Sequence, residues 1–475
     1  MSTSKPQAMF SVTPSQLIKL IDQYTSPVNS KGEEKPMIAP LIWGPPGVGK
    51  SSIVNNIAMT RNSRLVPLIL SQSDPVDIKG LPVRMDDGTV KWVASSFLPQ
   101  EYVFHDVSET RYDVCFDHAI DVAVYMFNSD GDEVYRWNDS VLPNMDKLDI
   151  GETTITHSGP DWIIELESVP DITVRMNIEE KAILFLDEIS TSEPAVQNAA
   201  LQLVLDRRVG EYSLPHATPV VSAGNREGDG AFIQGLSHPL ANRFAHITLK
   251  PNVDDFIEWG MYNNVNPIIL GYVKAFPDSL SSYDPKALTN GNYGFSTPRT
   301  LTMLSEQYEP IEFFESISTE TPENVKTEAR HMQMAMFAGI IGEKEALRFN
   351  DYVTLMHTLP SVDDIISGKE TKLNNIERSK SFGLLYSLVQ NLKSYHDKYY
   401  DPVKDIEDQS VTWTQAKDNI IDFITENFSK EAGAWAAMVI FQQMKLTSKA
   451  MRSDAIMRFA QKNVDVMARV ARSKR

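Results

Sequence analysis

Gly44-Pro45-Pro46-Gly47-Val48-Gly49-Lys50-Ser51 follows an apolar run over 37–43 and leads into Ser52, Ile53, Val54, Ile57 and Ala58 at helical spacing. Strand, glycine-rich turn and helix in this order form the layout in which backbone N–H groups wrap a phosphate chain. The N-terminus of the helix adds its positive end to the same anion. Lys50 is therefore expected on the β- and γ-phosphates of a nucleoside triphosphate and Ser51 on Mg2+, with Gly44 to Ser52 around the nucleotide. A glycine-proline turn with an unrelated lysine is the plain alternative, and the flanking strand and helix speak against it.

Outward from this stretch, 65–70, 182–186 and 219–223 are short apolar runs followed by polar residues, as strands buried on both faces are. Helical patterns at 15–24 and 194–206 lie around them. The alternation predicts an α/β fold, a parallel sheet with flanking helices and a site at the carboxyl ends of its strands. Residues 101–178 break the pattern. Strand-like runs at 123–127 and 133–137 flank Asp130-Gly131, a hairpin signal, and 153–156, 162–167 and 172–176 continue the rhythm. From Val253 onward helical periodicity dominates. The expected organisation is an N-terminal helix and first part of the core over 1–100, an acidic β-rich insertion over 101–178, and the second part of the core over 179–250. An α-helical lid over 251–350 and a helical C-terminal extension over 351–475 with a basic tail complete it.

Charge divides along the same lines. The chain of 475 residues carries 45 basic and 63 acidic side chains, net −18, which disfavours a general polyanion-binding surface. Residues 101–180 hold 19 acidic against 4 basic residues, whereas 445–475 hold 9 basic against 2 acidic. A single cysteine, Cys115, forms no intrachain disulfide and fits a reducing compartment. Residues 1–10 lack the apolar core of a signal peptide, and no run approaches the ~20 apolar residues of a membrane helix. A cytoplasmic protein without a membrane span is expected.

The run 183–188, Ile-Leu-Phe-Leu-Asp187-Glu188, ends an apolar strand in two carboxylates. Beside a phosphate loop, Asp187 is expected in the Mg2+ shell and Glu188 on the attacking water. With these motifs the chain resembles the AAA+ ATPases, and within them the MoxR-like branch. The likeness is carried in order by 44–51, by Asp74-Pro-Val-Asp-Ile-Lys-Gly80-Leu-Pro82, by Leu-Asp-Glu at 186–188 and by Gly210-Glu-Tyr-Ser-Leu-Pro215. Ala223-Gly-Asn225, Pro239-Leu-Ala-Asn-Arg243-Phe244 and Ser296-Thr-Pro-Arg299 complete it, over roughly residues 12–310.

The resemblance implies that Asn225 is the sensor residue that positions the lytic water, that Arg243 is an arginine finger acting on a neighbouring subunit, and that Arg299 is the lid arginine that contacts bound ATP. It also implies a homo-hexameric ring, protein clients and a von Willebrand A-type co-chaperone. Taken alone, Asn225 reads equally as a strand-ending turn residue and Arg243 as a solvated cation. Arg299 is more telling: Ser296 or Thr297 would cap a helix with Pro298 at its first position, which leaves a cation where the helix dipole disfavours one. Arg226 stands after Asn225 where many relatives have proline, and Asn242 before Arg243 where aspartate is common. Lys50 and Asp187 are far apart in sequence because the insertion lies between them.

Two further patterns carry less. Asn128–Glu133 has a faint calcium-loop look without the glycine and late glutamate in place, and Cys115 with His118 lacks further zinc ligands. In the tail, Ile456, Ala460, Val464, Met467 and Val470 or Ala471 recur at helical spacing among Arg458, Lys462, Arg469, Arg472 and Lys474. That is either a solvated helix packed by its apolar side or a basic helix meeting an acidic partner such as the insertion of a neighbouring copy. A nucleic-acid motor, a metal-insertion chaperone and a nucleotide-gated assembly protein are the alternatives to a remodelling ATPase.

Overall fold

The computed structural model describes residues 10–463 except 34, 86–87, 94, 96, 100, 105–110, 116–119, 129–132, 139–146, 151–152, 159–160, 167–171, 211, 216–217, 227–234, 284–293, 316–322, 374–380, 400–412 and 441–452, with backbone alone for the described residues of 101–180 and over 309–315, 323–326, 397–399, 431 and 437–438. The chain divides into two compact units, Met1–Lys250 and Pro251–Arg475.

Six parallel strands build the first unit: β1 (Ser11–Val12), β2 (Ala39–Trp43), β3 (Arg64–Ile69), β4 (Ala182–Asp187), β5 (Val220–Gly224) and β6 (Phe244–Leu249). Their order is β1-β6-β2-β5-β4-β3, each neighbouring pair parallel. The expected α/β class with a parallel sheet and flanking helices is the one observed. Strands β1 and β6 are additions to it. The first is two residues long, and His246 and Thr248 interrupt the apolar run of the second, so neither announces itself by hydropathy.

Alternation along each strand explains why the inner runs are apolar throughout. Ile42, Ile183, Phe185 and Val221 pack against Leu17 and Ile21 of α1 (Pro14–Thr25) and Val54, Ile57 and Ala58 of α2 (Lys50–Thr60). Leu41, Leu184, Leu186 and Val220 pack on the other face with Val196, Ala199 and Leu203 of α3 (Pro194–Leu205). Because all six strands run the same way, the segments after β2, β4 and β5 emerge on one edge.

Between β3 and β4 the chain makes a hairpin, Leu81–Arg84 with Val90–Val93, and then the inserted strands. These form two four-stranded antiparallel sheets. One joins Lys147–Ile150, Thr153–Ser158, Asp161–Leu166 and Arg111–Cys115; the other joins Glu101–Phe104, Ile172–Glu180, Ile120–Asn128 and Glu133–Asn138. The Asp130-Gly131 turn, His118 and the side chain of Cys115 lie outside the described residues.

The second unit is helical among its described residues. A single apolar cluster runs from Phe256 in α4 (Val253–Tyr262) through Tyr272 in α5 (Pro267–Ala275) and Phe349 in α6 (Glu343–Met356) to Ile420 in α7 (Trp413–Asn427) and Phe459 in α8 (Asp454–Lys462). Residues 251–350 and 351–475 thus contribute to one core. Helix α5 meets the segment at Gly383 so closely that a Cβ on Gly271 would stand 2.2 Å from the Gly383 backbone N. Buried Tyr272 donates its hydroxyl to Glu345 at 2.8 Å, and Arg348 holds Glu345 at 2.7 Å and Asp278 at 2.8 Å. Burial pushes the Tyr272 hydroxyl well above its ordinary range. In α8, Ala455, Ile456 and Phe459 face inward, Arg458 pairs with Asp422 and Lys462 donates to the Thr425 and Phe428 carbonyls. The rest of the tail stripe, from Val464 on, lies outside the described residues.

Candidate nucleotide-binding site

The loop between β2 and α2 is shaped by its glycines. Gly47 and Gly49 have φ of +79° and +94°, where an L side chain is strained, and Gly49 is also the residue before the first turn of α2. Gly44 is needed for a different reason: a Cβ there would crowd Val48 at 3.2 Å and the Leu249 carbonyl at 3.3 Å. Val48 is buried in the core and pins the loop from below. A Cβ on Gly49 would meet nothing within 4 Å, and Lys50, Ser51 and Ser52 begin the helix beside that free space. Free space at a helix N-terminus suits an anion.

Three strand ends bring the polar groups to this loop. Strand β5 lies between β2 and β4, so residue 225 stands between the glycine loop and the carboxylate pair. Lys50 Nζ donates to Asn225 Oδ1 at 2.7 Å and to the carbonyls of Gly44 and Pro45 at 2.7 and 3.2 Å. Ser51 Oγ donates to Asp187 Oδ2 at 2.7 Å. These two oxygens, from a hydroxyl and a carboxylate, form the hard donor set that Mg2+ takes when it keeps several waters and binds substrate phosphates. The residues present fit both groups.

Glu188 is exposed and has φ +57°, an uncommon conformation for a residue with a side chain. It is held there by its own N–H on Asp187 Oδ1 at 2.9 Å and by the Ile189 N–H on the Ala223 carbonyl at 3.1 Å. The bend turns the Glu188 carboxylate away from the line of β4, and Ser71, just after β3, donates its hydroxyl to it. Nothing in the local sequence marks Ser71, because its partner is far along the chain. Ser190 is a second such residue: buried, it accepts the Asn225 N–H at 3.0 Å.

The two expected arginines stand on other elements. Arg243 is exposed and immediately precedes β6. Phe244 is in register with Ala39 and Thr248 with Trp43, so Arg243 stands at the amino edge of the sheet. The length of β6, roughly 16 Å, separates it from the edge that carries the loop. Within one chain the structure does not bring it to Lys50. Arg299 belongs to the second unit, at the start of the helix Pro298–Glu315, and is exposed. Thr297 caps that helix, accepting the Thr300 N–H at 3.2 Å, as the sequence led us to expect of Ser296 or Thr297.

No family model matches the chain, and no curated protein does. Solved structures with a similar fold include NtrX from Brucella abortus, at 12% identity over 74% of this chain and 67% of that one, TM-score 0.28. A RuvB variant from Thermotoga maritima aligns at 13% identity over 67% of both chains, TM-score 0.28. The Thermotoga maritima RuvB Holliday junction branch migration motor aligns at 13% over 81% of this chain and 76% of that one, TM-score 0.24. At such scores the likeness adds nothing to what the sheet and the site geometry establish. Among the described residues no helix is long and apolar enough to cross a membrane, and no group of three or more His, Cys, Asp or Glu could hold a metal.

Proposed function

We propose that this chain is an ATP-hydrolysing AAA+ protein of the MoxR-like type, working as a ring that remodels or assembles protein clients. The observation that carries the reading is the meeting of Lys50 with Asn225 and of Ser51 with Asp187, each at 2.7 Å, beside a glycine loop at a helix N-terminus. In this reading the loop from Gly44 to Ser52 holds the phosphates, and Ser51 and Asp187 hold Mg2+, which screens the phosphate charge. Water attacks the γ-phosphorus, the bond to the β–γ bridging oxygen breaks, and ADP and phosphate leave. Glu188 accepts the proton of that water, Asn225 orients it, and Lys50 stabilises the charge that develops.

The position of Arg243 at the far edge of its own sheet supports a role on a neighbouring copy, and hence a ring, in which Arg299 acts from the helical unit. A protein client is supported by the hairpin 81–93, where Leu81, Val90, Trp92 and Val93 are each between 43% and 60% exposed. Net charge −18 weighs against a nucleic-acid motor.

Phosphate release from ATP tests the chemistry: activity in the wild type and none in Lys50→Ala is expected, and equal rates would overturn it. Mixing tests the shared site. Lys50→Ala and Arg243→Ala, each inactive alone, should recover activity when combined, because one supplies the arginine and the other the nucleotide site. No recovery would refute catalysis across the interface.

A further inference from the structure

The end of β5 is gripped from both sides. A Cβ on Gly224 would lie 3.0 Å from Ser190 Oγ on one side and 3.2 Å from Trp43 Cζ3 on the other, so only glycine passes between them. Asn225 follows, its N–H bound to Ser190 at 3.0 Å. Arg226 then turns to the opposite side. Its guanidinium lies over the Trp43 ring, 5.9 Å from the centroid, and donates to the Thr248 hydroxyl.

Trp43 is itself fixed. Its indole N–H donates to His246 Nδ1 at 2.8 Å, and the two rings are parallel within 6° at 5.9 Å. His246 Nε2 lies 2.7 Å from the Ala241 carbonyl, so the imidazole carries its proton on Nε2 and accepts on Nδ1. Arg226 therefore docks on a platform already tied to β2 and β6, while Ser190 ties the same short segment to the chain just beyond β4. Asn225 sits between these two anchors with Oδ1 on Lys50 at 2.7 Å.

We infer that Arg226 is a positioning residue that acts through Asn225. By lying over Trp43 and bonding Thr248, it fixes the direction of the strand exit and keeps the Asn225 amide at the phosphate lysine. A guanidinium suits this task, since its spread donors let it lie over the ring and still reach the hydroxyl; a lysine offers a single point charge. The inference rests on the ATPase reading and deepens it.

A double-mutant cycle on the full chain tests it, with ATP turnover and ATP affinity by calorimetry read for each variant. Arg226→Ala should lower kcat by tenfold or more, toward the roughly 100-fold that a misplacement of about 1 Å can cause, with Kd for ATP changed less than about threefold. Arg226→Lys should fall between the two. In an Asn225→Ala background, Arg226→Ala should lower kcat no further. Losses that multiply in the double variant, or a loss confined to ATP affinity, would overturn the positioning role while leaving the ATPase reading in place. Wild-type protein that binds ATP without turning it over would instead overturn that reading, and the proposal with it.

Discussion

Polar groups are treated in opposite ways by the two units. At the carboxyl edge of the sheet, Lys50, Asp187 and Asn225 are only partly buried and Glu188 is exposed, beside free space above Gly49. In the helical unit, Tyr272 and Glu345 are sealed in the core, and Arg348 closes the network against Asp278. Both regions contain charged groups held by short hydrogen bonds. What separates a candidate site from a structural network is whether its groups still face space into which a ligand can come.

Substitutions that act on one unit alone sharpen this contrast. The largest effect is expected at the sheet edge: Asp187→Asn should lower ATP turnover by about 10³-fold, roughly 4 kcal/mol of barrier, with the thermal midpoint almost unmoved. Gly271→Ala should do the reverse. The added methyl would meet the Gly383 backbone, costing about 3 kcal/mol of stability in a denaturant titration while ATP affinity holds.

Glu345→Ala should cost about 2 kcal/mol, because Tyr272 loses its acceptor while Arg348 keeps Asp278. The smallest effect is expected at buried Lys417, whose pKa burial lowers against the opposing pull of Asp418. The unfolded chain then binds more protons than the folded one, so stability should rise with pH between the lowered value and the ordinary 10.5. Lys417→Met should abolish that rise and stabilise the protein by about 1 kcal/mol at neutral pH. Loss of turnover in either helical-unit charge variant would break the contrast.

The sheet was legible where its signals are local. The glycine loop and the Asp187-Glu188 strand end are contiguous strings, and the inner strands β4 and β5 are buried on both faces, whereas β3, also expected as an inner strand, is the edge strand of the sheet, with Pro67 and Ile69 exposed. Strand β6 escaped because His246 and Thr248 spend their polar atoms on Trp43 of β2 and on Arg226 just after β5, partners distant in sequence. Ser71 and Ser190 were illegible for the same reason: a serine after a strand is common, and only the sheet order shows which carboxylate or amide it reaches. The single core shared by 251–350 and 351–475 was hidden because helical periodicity tells which face is apolar but not which helix covers it.

Glu188→Gln separates chemistry from binding most directly. The substitution keeps size and the Ser71 contact but removes the base, so ATP affinity by calorimetry should stay within a few-fold of the wild type. Turnover should fall by about 10²- to 10⁴-fold, the share a positioned base contributes. Turnover equal to that of the wild type would contradict hydrolysis at this sheet edge.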